Sequence, residues 1–134
     1  MSLELVILDD DKIIIFLHKI MLEKSGLSAN PICYQDAKEM IKFLMEDQNE
    51  SSKFLILLDL SMPEMDGWEF LEAIKSSSLA DRVFVVIVTS SFLFSDKAKA
   101  MKYTNVLDYF EKPINAKSCY RIKSIPEIAP YFQN

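Results

Sequence analysis

The sequence predicts an α/β fold: a doubly wound parallel sheet of five strands with helices on both faces. Short apolar runs without polar alternation recur along the chain, which is typical of strands buried on both faces. Segments of helical character separate these runs. Strand and helix alternate five times, which favours right-handed βαβ crossovers and a three-layer structure.

The elements are predicted in order from these apolar runs and from helix start and stop signals. Strands are predicted at residues 5–8, 32–34, 54–58, 83–88 and 109–110. Helices are predicted at residues 11–24, 36–46, 68–76 and 96–103, with a short fifth helix before residue 124. Asp36 is placed to cap the second helix, and Ser95 or Asp96 to cap the fourth, because short polar side chains accept hydrogen bonds from the first helical amides. Asn105 is expected to take the left-handed conformation at the end of the fourth helix.

The length predicts one domain spanning residues 1–134, with a core at about 3–122 and an irregular tail at 124–134. Fifteen basic and twenty acidic residues give a net charge of -5, which argues against nucleic-acid binding. The two cysteines, Cys33 and Cys119, are expected to be free thiols. We expect a cytoplasmic protein, because the sequence has neither a signal-like N-terminus nor an apolar run of about 20 residues that could span a membrane.

Polar residues follow four of the predicted strands, at the edge where open α/β sheets carry their functional sites. They are Asp9, Asp10 and Asp11 after the first strand, Asp59 after the third, Thr89 after the fourth and Lys112 after the fifth. In the flavodoxin-like strand order 2-1-3-4-5, the first and third strands are neighbours, so their carboxylates converge. Such carboxylates raise one another's pKa values unless a cation such as Mg²⁺ relieves the repulsion.

Four fragments of the sequence carry a family resemblance: "ILDDD", "LLDLSMPEMDG", "VIVTSS" and "DYFEKP". In this order and spacing, the chain resembles the receiver domain of two-component response regulators, of the stand-alone type, from about residue 3 to residue 122. The resemblance implies that Asp59 accepts a phosphoryl group. It also implies a Mg²⁺ site made by Asp10 directly, by Asp9 through water, by Asp59 and by the backbone carbonyl of Ser61.

The resemblance assigns further roles near the ends of the last two strands. Lys112 would pair with the phosphoryl group, and Thr89 would donate its hydroxyl to a phosphoryl oxygen. Tyr109 would act as the aromatic switch whose inward or outward rotamer reports phosphorylation. The Lys112–Pro113 peptide bond would be cis.

The implied function is a signalling switch rather than an enzyme in the usual sense, although the domain catalyses its own aspartate phosphorylation and dephosphorylation. Its implied partners are a histidine kinase or histidine phosphotransfer protein and an unidentified downstream protein. The alternative is a phosphatase of the haloacid dehalogenase type, which also forms an aspartyl phosphate. Such an enzyme needs a second aspartate two residues after the nucleophile, where this chain has Ser61.

Two apolar segments are candidate partner surfaces. Eight of the ten residues from 13 to 22 are apolar, more than one buried stripe requires, so Ile13, Ile14 and Ile15 are assigned to docking of the phosphodonor. His18 is expected to be a packed or partly exposed helix residue. Leu93 and Phe94 are assigned to a surface for a downstream partner or a phosphorylation-dependent dimer, and Pro113 is also assigned to a partner surface. The alternative for Phe92, Leu93 and Phe94 is burial in the core.

Overall fold

The structure is a computed structural model that describes residues 2–47, 52–90 and 93–133. Within these residues the strands are β1 (Ser2–Leu8), β2 (Ile32–Tyr34), β3 (Ser52–Leu58), β4 (Val83–Thr89) and β5 (Val106–Glu111). The helices are α1 (Lys12–Ser25), α2 (Ala37–Glu46), α3 (Gly67–Lys75), α4 (Phe94–Ala100) and α5 (Ala116–Ser124). Short 3-10 helices occupy Ser78–Asp81 and Ala129–Tyr131. None of the helices in these ranges is long and apolar enough to cross a membrane.

The sheet confirms the predicted fold class and strand order. The strands pair in parallel in the order β2-β1-β3-β4-β5. β1 pairs with β3 along its full length, and Leu8 at the end of β1 lies opposite Leu58 at the end of β3. This register brings the residues that follow β1 and β3 to the same height at the carboxyl edge of the sheet.

Helices cover both faces of the sheet, and each face has its own apolar cluster. One face packs against α2, α3 and α4, and its cluster includes Met40, Phe70 and Ala100. The other face packs against α1 and α5, and its cluster includes Leu22 and Ile122. The two layers of helices bury the sheet strands on both sides, which explains why the central strands are continuous apolar runs.

Side-chain caps start four of the five described helices and fix where the chain leaves the sheet. The capping residues are Asp11, Asp36, Asp66 and Asn115, for α1, α2, α3 and α5 respectively. The predicted cap of α4 is wrong. This helix begins at Phe94, so Ser95 and Asp96 lie inside its first turn, and the residue at the cap position, Leu93, makes no side-chain cap hydrogen bond.

Two other expectations are changed by tertiary contacts. Asn105 has no positive φ; among the described non-glycine residues, that conformation is found at Glu64. Instead, the side-chain amide of Asn105 donates hydrogen bonds of 2.7 Å to the carbonyls of Ala80 and Val83, and so links the residue before β5 to the 3-10 helix and the start of β4. The tail expected to be irregular contains the 3-10 helix at Ala129–Tyr131, and Ile128 is fully buried against the α1 and α5 side of the sheet.

Candidate functional site

The carboxyl ends of the strands bring the predicted site residues together. Asp9 follows β1, and its backbone amide donates to the carbonyl of Tyr34 at the end of β2. Asp59 follows β3, and its amide donates to the Leu8 carbonyl at the end of β1. The backbone of each aspartate is therefore held by a hydrogen bond to the neighbouring strand. Both side chains are buried, with 2% exposure for each residue.

Lys112 joins the two buried carboxylates. Its Nζ atom lies 3.1 Å from Asp9 Oδ2 and 3.3 Å from Asp59 Oδ2. The Lys112 backbone amide donates to the Thr89 carbonyl at 3.0 Å, which holds the end of β5 beside β4. The Lys112–Pro113 peptide bond is cis, as the resemblance implied.

The other oxygen of Asp59 faces two hydrogen-bond donors. Asp59 Oδ1 accepts a hydrogen bond of 3.2 Å from the Ser61 backbone amide. The Thr89 hydroxyl lies 3.4 Å from the same oxygen, a long contact that can shorten. One oxygen of Asp59 thus faces the Lys112 ammonium, and the other faces neutral donors.

The buried environment and the neighbouring charges shift the pKa values of Asp9 and Lys112. Burial raises the pKa of Asp9, and the nearby Asp59 charge adds to this effect, while the Asp11 amide and Lys112 offset it in part. Burial alone would lower the pKa of Lys112, but the charges of Asp59 and Asp9 outweigh it and raise that pKa above its ordinary value. Lys112 is therefore a fixed positive charge at neutral pH.

The acidic residues have the chemistry of a divalent-cation site. Asp9, Asp10 and Asp59 each offer a carboxylate oxygen, and these oxygens lie within 4.8 Å of one another. Asp10 is exposed, and a cleft that opens beside it is also lined by Ser61, Met62, Asp66, Trp68 and Asp96. Hard oxygen ligands with an open, hydrated side suit Mg²⁺.

Tyr109 and the residues predicted for partner surfaces have different exposures. Tyr109 is 7% exposed and belongs to the core cluster that includes Ala100 of α4. The most exposed members of the predicted surfaces are Ile13 at 70%, Leu93 at 62% and Phe94 at 87%. The alternative of core burial is therefore wrong for Leu93 and Phe94. Phe92 lies outside the described residues.

The remaining members of the predicted surfaces are less uniform. Ile14 and Ile15 are half-buried, and Ile15 packs against the cluster on the α1 and α5 side of the sheet. Pro113 is exposed. The apolar excess of α1 is thus divided between the core and the surface within a single turn.

Sequence reasoning assigned no role to Gly67, and it expected His18 to be packed or partly exposed without identifying its hydrogen-bond partner. A Cβ atom at Gly67 would lie 2.7 Å from the Asp59 carbonyl oxygen and 2.7 Å from the Leu60 Cα, so only glycine lets α3 start this close to the acceptor loop. His18 is fully buried, and its Nε2 accepts a hydrogen bond from the Ile114 amide. The glycine in "MDG" was a signal for the first, whereas the sequence has no signal for the second.

Comparisons with known proteins agree with this arrangement. The family model of the response regulator receiver domain matches residues 5–122. The two-component response regulator ORR1 of Oryza sativa subsp. japonica is 27% identical over 123 residues, which cover 89% of this chain and 53% of ORR1. The probable methanogenesis regulatory protein FilR2 of Methanothrix harundinacea is 31% identical over 113 residues, which cover 82% of this chain and 70% of FilR2.

A solved structure supports the fold independently. The crystal structure of a two component response regulator from Cytophaga hutchinsonii superposes with a TM-score of 0.85 at 22% identity, covering 97% of this chain and 98% of that one. The chain spans about half the length of the rice ORR1 proteins that it matches. The fold, the carboxyl-edge cluster and the family match over residues 5–122 together show that the chain belongs to the response regulator receiver domain family, whose members act as phospho-accepting signalling switches.

Proposed function

We propose that residues 1–134 act as one receiver domain of a two-component system or phosphorelay, and that Asp59 accepts the phosphoryl group. The observation that carries this proposal is the environment of the Asp59 carboxylate. One oxygen lies 3.3 Å from Lys112 Nζ, and the other faces the Ser61 amide at 3.2 Å and the Thr89 hydroxyl at 3.4 Å. A phosphoryl group on Asp59 would meet one positive charge and two donors, which is the environment that its charged oxygens require.

The transfer is a displacement at phosphorus. A carboxylate oxygen of Asp59 attacks the phosphorus of a phosphohistidine and forms a P–O bond. The P–N bond breaks, and its electron pair returns to the imidazole ring of the donor. Lys112 and Thr89 stabilise the charge on the equatorial oxygens, as positioned charges and donors do in phosphoryl transfer.

The reverse of activation uses the same residues. Attack of water on the acyl phosphate releases inorganic phosphate and restores the Asp59 carboxylate. The domain thus catalyses its own phosphorylation and dephosphorylation without turning over a separate substrate. The aspartyl-phosphate phosphatase alternative would need an acid–base aspartate at the position of Ser61.

Receiver domains bind Mg²⁺ at an acidic pocket, and the oxygens of Asp9, Asp10 and Asp59 fit this ion. We assign direct contacts to Asp10, Asp59 and the Ser61 carbonyl, and a contact through water to Asp9. When bound, the ion offsets negative charge on the phosphoryl oxygens. Asp9 is held in place by its hydrogen bond from the Asp11 amide at 2.9 Å and by Lys112.

The proposed phosphodonor is a histidine kinase or a histidine phosphotransfer protein that docks on the start of α1. Ile13 is 70% exposed and lies two residues after Asp11, so an apolar surface adjoins the acidic cluster. A donor that covers Ile13, Ile14 and Ile15 would bring its phosphohistidine close to Asp59. We also assign Pro113, which is exposed and follows Lys112, to a partner surface.

The proposed output runs through β4, β5 and α4. A phosphoryl oxygen draws the Thr89 hydroxyl away from its present contact with Asp59. Tyr109 lies on β5 opposite Ile87, two residues before Thr89 on β4, and its side chain follows this shift. The exposed residues Leu93 and Phe94 then present a changed surface to a downstream protein or to a second phosphorylated copy. A local change at the phosphoryl group is thereby converted into a change in partner binding.

Phosphorylation with a small donor tests the acceptor. Incubation with Mg²⁺ and acetyl phosphate should add one phosphoryl group, seen as a mass shift and a peptide map at Asp59. Asp59→Asn should abolish the shift, whereas Asp66→Asn should keep it, because asparagine caps a helix as well as aspartate does. Labelling that persists in Asp59→Asn would exclude Asp59 as the acceptor.

Metal binding is tested by the fluorescence of Trp68, the single tryptophan, which lines the cleft beside Asp10. Mg²⁺ should bind weakly, change the emission of Trp68 and raise the melting temperature by mass action. Asp10→Asn should remove both responses. Asp11→Asn is the matched control, because it changes an adjacent exposed carboxylate, keeps the cap of α1 and should respond to Mg²⁺ as the wild type does.

A further inference from the structure

His18 is a polar side chain buried in the middle of α1, facing the sheet. It is 1% exposed, and its Nε2 lies 3.2 Å from the backbone nitrogen of Ile114, which is 96 residues away in sequence. Ile114 is itself 3% exposed and lies two residues after Lys112. The contact therefore links the interior of α1 to the segment that carries the lysine of the site.

The backbone donors of residues 112–115 show why this contact matters. The Lys112 amide bonds to Thr89 on β4, and the Asn115 amide bonds to Ser118 in α5. Pro113 has no amide hydrogen and cannot anchor the turn. Between the anchored amides of Lys112 and Asn115, the Ile114 amide is the remaining donor, and it donates to Nε2 of His18.

The hydrogen bond also fixes the state of the imidazole ring. A backbone amide can only donate, so Nε2 must be unprotonated and the neutral ring carries its hydrogen on Nδ1. Burial, with the nearby Lys112 charge adding to it, lowers the pKa of His18 to about 4. His18 is therefore a neutral acceptor at physiological pH rather than a proton donor or a charge.

We propose that His18 is a positioning residue for phosphoryl transfer: it holds the Ile114 amide and thereby aims Lys112 at Asp59. This inference rests on the function proposed above. An aliphatic side chain would fill the same space on the inner face of α1, but it would leave a buried amide without an acceptor, and the turn would shift to satisfy it. Lys112 would then lose the geometry that places Nζ 3.3 Å from Asp59.

Two substitutions separate positioning from simple core filling. His18→Leu keeps an apolar side chain but removes the acceptor, whereas the side-chain oxygen of Gln in His18→Gln reaches about the position of Nε2 and can accept. His18→Leu should lower the rate of Asp59 phosphorylation by acetyl phosphate by roughly tenfold, since a displacement of about 1 Å in a catalytic group can cost up to about 100-fold. His18→Gln should recover most of this loss, and Mg²⁺ binding reported by Trp68 should match the wild type in both variants.

The hydrogen bond and its coupling to Lys112 are measured directly. Hydrogen exchange of the Ile114 amide should be slow in the wild type and in His18→Gln, and fast in His18→Leu. In a Lys112→Ala background, His18→Leu should change the rate by less than about twofold, because two residues that act through one contact are not additive.

Equal phosphorylation rates in wild type and His18→Leu, or a full additional loss in the Lys112→Ala background, would overturn the positioning role while Asp59 labelling stands. Failure of the wild type to be labelled on Asp59 would instead overturn the proposed function. If His18→Leu does not fold, His18→Gln still tests the proposal. A Gln variant in which the Ile114 amide exchanges slowly, but in which Asp59 is phosphorylated as slowly as in Lys112→Ala, would contradict it.

Discussion

α1 and α4 both expose large apolar side chains, but the domain holds them in different ways. α1 has 14 residues, an Asp11 cap with bonds to two amides, a left-handed Gly26 at its end and buried His18 and Leu22. α4 has seven residues, no side-chain cap bond and one buried residue, Ala100. A seven-residue helix is too short to be stable alone, so α4 depends on a small contact with the sheet.

This difference suits two kinds of partner surface. The apolar residues of α1 sit on a helix whose position is fixed at both ends, which favours docking of a donor in one orientation. Those of α4 sit on a weakly held helix that follows the Thr89 strand end, which favours a surface that changes with phosphorylation. Under the proposed function, α1 would receive the phosphodonor and α4 would present the output surface, and substitutions can test this division.

The largest effect should come from the packing of α1. Leu22 is fully buried against the sheet, so Leu22→Ala should lower the free energy of unfolding by about 2–5 kcal/mol. In α4, Phe94→Ala should change it by less than about 0.5 kcal/mol, because Phe94 is 87% exposed. Urea titration measures both. Equal losses in the two variants would contradict the difference between the helices.

Acid should weaken the domain through His18. The folded pKa of about 4 lies below the unfolded value of 6.5, so the unfolded chain binds more protons between these values and stability falls as the pH drops through this window. The loss should approach about 3 kcal/mol at lower pH, since each unit of pKa difference corresponds to about 1.4 kcal/mol. The raised pKa of Asp9 acts in the opposite direction but is common to wild type and His18→Gln. The urea midpoints of wild type and His18→Gln, compared at pH 7 and at pH 4.5, isolate the contribution of His18. If the two proteins lost stability in parallel as the pH fell, His18 would not be the source of the acid sensitivity.

Changes at the helix caps should alter the stability of the domain by a smaller amount, with opposite signs for α1 and α4. Asp11→Ala removes the acceptor for the Ile13 and Ile14 amides and should cost about 1 kcal/mol of stability. Leu93→Asp supplies α4 with an acceptor that it lacks and should stabilise the domain by up to about 1 kcal/mol. Thermal unfolding of both variants checks the signs. A destabilising Leu93→Asp would show that Leu93 packs more tightly than its 62% exposure indicates.

The sequence predicts the sheet well because its signal is local. Apolar runs mark the central strands, the regular alternation with helices predicts that they are parallel, and the family resemblance supplies their order. The errors occur where contacts between residues distant in sequence determine the local structure. β5 extends to Val106–Glu111 because these residues pair with β4, and Asp108 within the strand forms an ion pair of 2.9 Å with Arg121 of α5. Asn105 is held by the carbonyls of Ala80 and Val83 rather than by its own turn.

The candidate site is predictable for a related reason. Residues that follow parallel strands share one edge of the sheet, so the neighbouring strands β1 and β3 bring Asp9 and Asp59 together. Lys112 follows β5, two strands from β3, and its long side chain reaches across the end of β4 to both carboxylates. His18 could not be found this way, since its partner is a backbone amide, and every residue type except proline has one. A local contact to the backbone, such as the Asp36 cap, can be predicted from the sequence, but a contact between residues 96 positions apart leaves no trace in the side-chain pattern of a single sequence.

The smallest effect on stability, and the most specific effect on function, is expected at the exposed residues of the two helices. Phe94→Ser and Ile13→Ser should each change the free energy of unfolding by less than about 0.5 kcal/mol, because both side chains already contact solvent. Phosphorylation by acetyl phosphate should be unchanged in both, since neither side chain touches the Asp59 site. Phosphorylation by a phosphohistidine protein should slow in Ile13→Ser alone, because that donor must dock on α1. Self-association of the beryllofluoride-treated domain, measured by sedimentation, should weaken in Phe94→Ser alone. If Phe94→Ser instead slowed transfer from the protein donor, α4 would belong to the receiving surface, and the division between α1 and α4 would be wrong.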